Sequence, residues 1–104
     1  MAAILNSEDE LLVAGVRRGL AKVAAALDGE AAEGASEFAV GAALDGAEMV
    51  IRGELVSGNA DRLPALMPSF VFLVALPVVG QDRAIELSRR TEQLVERALG
   101  SAEV

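Results

Sequence analysis

The side chains of this chain that could do chemistry are carboxylates, guanidiniums and a lone hydroxyl in an apolar run. Glu8, Asp9 and Glu10 stand together, and Glu30 and Glu33 form a second acidic group. Paired carboxylates do acid–base work when burial splits their pKa values. These lie at a helix start and in a small, Gly-containing loop, where solvated capping charges are the plain reading. Asp45 sits in an apolar stretch between Leu44 and Gly46, free to bond a ligand, Arg52 or solvent. Glu48 and Arg52 stand at i, i+4, a spacing that pairs side chains on one helix face. Ser69 is a nucleophile only beside a base. The sequence has no His and no Cys. The commonest general base, the commonest metal ligand and any thiolate are therefore missing. Ser69 then reads as a cap or a partner for a helix carbonyl. Gly41 and Gly46 are spaced as in a nucleotide loop, but the following Lys-Ser/Thr and a preceding strand are lacking. The residues point away from an enzyme and imply no metal and no cofactor.

What must position these groups is helical. The chain has 104 residues, 53% of them hydrophobic, and its three Phe are its only aromatics. A core made of Leu, Val, Ile and many Ala favours close-packed helices over a β-sandwich. The length fits one domain. The net charge is −7, which disfavours nucleic-acid binding, since phosphate contacts need a basic footprint. Met1 to Leu5 has neither a basic start nor a long apolar run, so the cytoplasm is the default compartment.

Four helices can be placed. The first opens at a capping box, Ser7 to Glu10, and carries the stripe Leu12, Val16, Leu20, Val23 and Leu27. Asp28-Gly29 ends it, and residues 30–35 form a loop. The second runs from Ser36 to Val56 or Ser57. It carries a large apolar stripe, Val40, Leu44, Ala47, Ile51 and Leu55. Beside that runs a seam of mostly small residues, Ala39, Ala43, Gly46, Val50 and Gly53. Gly in a helix costs roughly 1 kcal/mol against Ala, so a close helix neighbour is expected at the seam. Gly58-Asn59 stops the helix. A short turn at Leu63 to Met67 then precedes a third helix from Pro68, ended by Pro77 and Gly80. A fourth runs from Gln81 or Asp82 to Leu99, closed by Gly100, with a frayed tail beyond.

The third helix sets the strongest expectation. Between Pro68 and Gly80 only Ser69 has a polar side chain. A helix apolar all round must be covered on every side. It is shorter than the about 20 residues a bilayer span needs, so no membrane role is expected and a second copy of the chain is the natural cover. Phe38, Met49, Asp45 and Met67 are the candidates for binding a small apolar ligand, with ordinary core as the competing reading.

Residues 45–80 resemble the end of a TetR-type transcriptional repressor. The resemblance is carried by Gly46-Ala47, by Arg52 to Gly58 with Leu55 between, by Leu63-Pro64-Ala65-Leu66-Met67-Pro68, and by Pro77-Val78-Val79-Gly80 before a last helix. It implies an all-α domain whose late helices pair with their two-fold mates as a four-helix bundle. The interface expected from it is Ala39, Ala43, Gly46, Val50, Gly53, Phe70, Leu73, Val74 and Pro77. It also implies a small apolar effector. The family's basic helix-turn-helix has no counterpart here, so DNA would be reached only through a domain absent from this chain. The expected function is the dimerisation and effector-binding portion of such a regulator. The alternative is a stand-alone helical homodimeric module that binds neither ligand nor DNA.

Overall fold

The computed structural model describes residues 5–27 and 37–103, with side chains described as far as residue 100. It is all-α: α1 (Ser7–Ala26), α2 (Glu37–Val56), a 3-10 turn (Ala60–Arg62), α3 (Leu63–Val79) and α4 (Gln81–Glu103), with no strand among the described residues.

Asn6 starts α1. Its extended backbone (φ −75°, ψ 175°) lets its side-chain oxygen accept the Asp9 N–H at 2.8 Å. Asn caps as well as Ser does, so the expected box on Ser7 is corrected by one residue. The buried line of α1 is Val13, Leu20 and Ala24, continued by Leu27. Of the expected stripe, Leu20 and Leu27 are buried and Val16 and Val23 pack against the core, while Leu12 is 41% exposed and Val13 takes its place. The stop at Asp28-Gly29 and the loop at 30–35 fall outside the described residues.

On α2 the inward line is Ala43, Ala47, Ile51 and Leu55, with Val40 and Leu44 packed beside it. Gly58 ends it in the left-handed region (φ 77°). Its N–H bonds the Leu55 carbonyl, and the Asn59 N–H bonds the Glu54 carbonyl at 2.8 Å. These two bonds satisfy carbonyls that a helix end leaves open.

The third helix is longer than expected. Residues 63–67 form its first turn, with Pro64 where a missing N–H costs nothing, and both Pro68 and Pro77 lie inside it. The separate turn before Pro68 is thus corrected. Together with the 3-10 turn, the helical stretch Ala60–Val79 reaches 20 residues, long and apolar enough to cross a membrane by length and composition alone. The length argument drawn from Pro68 to Gly80 therefore does not hold. What places α3 here is its packing against α1, α2 and α4.

Gly80 alone joins α3 to α4. Its backbone (φ 84°, ψ 174°) belongs to a region that only Gly enters cheaply. The two helices form a hairpin and make the most extensive contact in the chain. The Ser88 hydroxyl donates to the Pro68 carbonyl at 2.8 Å across it. Gly100 does not close α4, which continues to Glu103. An isolated Gly weakens a helix but does not end one when nothing else competes.

The core has two parts. Val13, Leu20, Ala47, Ile51, Phe70 and Val74 fill the space between α1, α2 and α3. Leu27, Ala75, Val78 and Ala84 fill the corner where α1 ends beside the hairpin. The molecule measures 44 × 38 × 17 Å. A helix with its side chains is about 10 Å across, so the fold is a plate no more than two helices thick.

Candidate interaction surface

Two helices leave apolar surface bare on the same groove. On α2 the outward arc carries Phe38, Ala42, Gly46, Met49, Gly53 and Val56, spaced by three or four residues. These positions share one helix face, and no charged side chain interrupts it. Phe38 is 87% exposed and Met49 75%. On α3 the bare side carries Ala65, Ser69, Leu73 and Leu76, with Ser69 its only polar side chain. Leu73 and Leu76 are 41% and 38% exposed, although they belong to the most apolar helix. Between the two helices lies an open groove of about 620 Å³, lined by Phe38, Ala39, Ala42, Ala43 and Gly46 from one side and Leu73, Leu76 and Pro77 from the other.

The expected interface residues divide. Ala39, Gly46, Leu73 and Pro77 line this groove. Val50 and Gly53 lie on the bare side of α2. Phe70 and Val74 are corrected: at 4% and 0% exposure they are inside the chain's own core and have no surface to offer a partner. Ala43, 8% exposed, forms the groove's floor from within. The close neighbour expected at the glycines is not found among the described residues. A Cβ added at Gly41, Gly46 or Gly53 would meet nothing within 4 Å.

The candidate ligand residues are not brought together. Phe38 borders the groove, Met49 points outward on the next turns, and Met67 packs against the main core. Asp45 is an ion-pair partner, with Arg17 rather than Arg52 as its cation, at 2.7 Å. Ala42 and Leu76 were missed, although their spacing from Phe38 and Leu73 carries the signal.

The opposite flank of α2 is charged. Arg17 of α1 reaches Asp45 at 2.7 Å and Glu48 at 3.3 Å. Arg52 grips Glu10 through two bonds of 2.7 and 3.0 Å and pairs with Glu48 at 3.2 Å. Glu48 and Arg52 pair as expected, within a clamp that also holds α1. The bidentate hydrogen bond from Arg52 holds the Glu10 carboxyl below its ordinary value. Asp45 and Glu10 in turn push the guanidiniums of Arg17 and Arg52 up. The small cleft beside this clamp is lined by its charges Glu10, Arg17, Glu48 and Arg52 and by Arg18. Glu54, at the far end of α2, has one buried oxygen with no hydrogen bond, and Arg62 stands 3.7 Å from it. Among the described residues, no three metal-ligating side chains cluster. No protein-family model, no curated protein and no solved structure matches this chain.

Proposed function

We propose that this chain is a helical homodimerisation module, and that it forms the dimerisation and effector-binding portion of a TetR-like transcriptional regulator. One observation carries the dimer: the groove between α2 and α3 is lined by apolar residues alone, and the bare arc of α2 beside it carries no charged side chain. Monomers seldom leave such a continuous patch in water. A two-fold dimer covers it with a single patch used twice.

The regulator half of the reading rests on the resemblance of residues 45–80. There, effector binding would bias the dimer between two arrangements of DNA-binding heads carried elsewhere. A stand-alone dimeric module explains the same surface without ligand or DNA.

Sedimentation equilibrium over a wide concentration range tests the dimer. A persistent two-chain mass is the expected result, and a monomer at every concentration removes the proposal. The gene separates the two versions. An in-frame basic helix-turn-helix encoded upstream of Met1 supports the regulator. A stop codon directly upstream leaves the stand-alone module.

A further inference from the structure

The bare arc of α2 holds a projection and a recess on one line. Phe38, Ala42 and Gly46 are spaced i, i+4, i+8, so they lie on one side of the helix, one turn apart each. Phe38 stands out, 87% exposed. Ala42, exposed and with the smallest chiral side chain, follows it. Gly46 has no Cβ, and the space where one would sit is open. The groove wall beyond is Leu73 and Leu76.

Resting on the homodimer reading, we infer that two α2 helices cross antiparallel about Ala42, each Phe38 seating in the notch at Gly46 of the other copy. The two-fold axis passes beside Ala42, and the pairing follows from counting. A two-fold at position 42 sets residue 38 opposite residue 46, in both directions at once. Small residues at the crossing let two helix axes approach to about 8 Å. The occupant is a second copy because projection and recess are on one surface in the register that an isologous contact requires. The arrangement also explains why a solvated helix keeps a glycine and a bare phenylalanine together. Each has a partner only across the axis. Buried aromatic anchors of this kind dominate interface energies.

Cysteine cross-linking is the decisive experiment, since the chain has no Cys of its own. Ala42→Cys places two thiols beside the axis, within disulfide reach. Under mild oxidation it should give a covalent dimer. Arg89→Cys, on the exposed face of α4, should not. Phe38→Ala should raise the dimer dissociation constant at least about tenfold, and Gly46→Leu should do the same by filling the notch. Phe38 is 87% exposed and a Cβ at Gly46 would meet nothing within 4 Å, so the fold should accept both variants, and an unchanged helical circular dichroism spectrum checks this. Should Gly46→Leu misfold, the Ala42→Cys result still decides. A dimer that resists Phe38→Ala and fails to cross-link at position 42 overturns this crossing and leaves the homodimer reading standing. A wild-type chain that stays monomeric overturns both.

Discussion

The two long flanks of α2 are opposites. Toward α1 the flank is charged and paired: Arg17, Asp45, Glu48, Arg52 and Glu10 form a continuous clamp. Toward the groove there is no charge, and Phe38 and Met49 stand in the open. The difference shows two ways of treating a helix edge. Where α1 covers the helix, Val13 and Leu20 supply the burial and charges trim the rim. Where none of the described residues covers it, the side chains are apolar or small. Exposed ion pairs add little stability, up to about 1 kcal/mol each. Bare apolar surface is a cost until it is covered. Among the described residues the charged flank is finished, and the apolar flank is not.

The contrast can be broken most forcefully from inside. Ile51 is fully buried between the flanks. Ile51→Ala should lower the unfolding free energy by about 2–5 kcal/mol, read from urea denaturation. A loss below about 1 kcal/mol would mean that the described core is not the real one. Gly53→Ala, on the bare flank, should act in the opposite direction. With open space where the Cβ would go, it should stabilise the isolated chain by about 0.5–1 kcal/mol. A destabilised variant, at concentrations too low for self-association, would show that something already covers that flank. The smallest effect belongs to the clamp. Arg52→Met should lower the melting temperature slightly at low salt, and the difference should vanish near 1 M salt, where the Debye length is about 3 Å. A difference independent of salt would assign Arg52 a packing role instead. The clamp also sets a sign with pH. Because Glu10 titrates below its ordinary value when folded, its contribution is present at neutral pH. It is lost as the pH falls through that lowered value. Arg52 stays charged throughout, so no matching loss occurs on the alkaline side.

The helices were legible in the sequence because their signals are local. The Schellman ending at Gly58 and the break at Gly80 are positions where only glycine sits comfortably. The line Ala47, Ile51 and Leu55 has one unambiguous period. The first position of the α1 stripe was not legible. Leu12 and Val13 are both apolar and adjacent, and periodicity cannot choose between neighbouring lines. Tertiary packing chose Val13. The first turn of α3 was missed because prolines four apart read as a break, although the earlier one sits where helices accept it. The partition of the interface was hidden for a related reason. In a helix apolar all round, Phe70 and Val74 look no different from Leu73 and Leu76. Only the positions of α1 and α2 decide which of them face inward.

With neither Trp nor Tyr, the aromatic signal of this chain comes from three rings alone, and they occupy three unlike surroundings. Phe38 is in the open at the groove, Phe70 is inside the main core, and Phe72 packs half-buried against the α4 corner. Each ring therefore has its own magnetic environment. The resonances of one report whatever comes to cover the groove, those of another the integrity of the core, and those of the third the seating of the hairpin. The molecule carries three native probes, and no label is needed to tell these events apart.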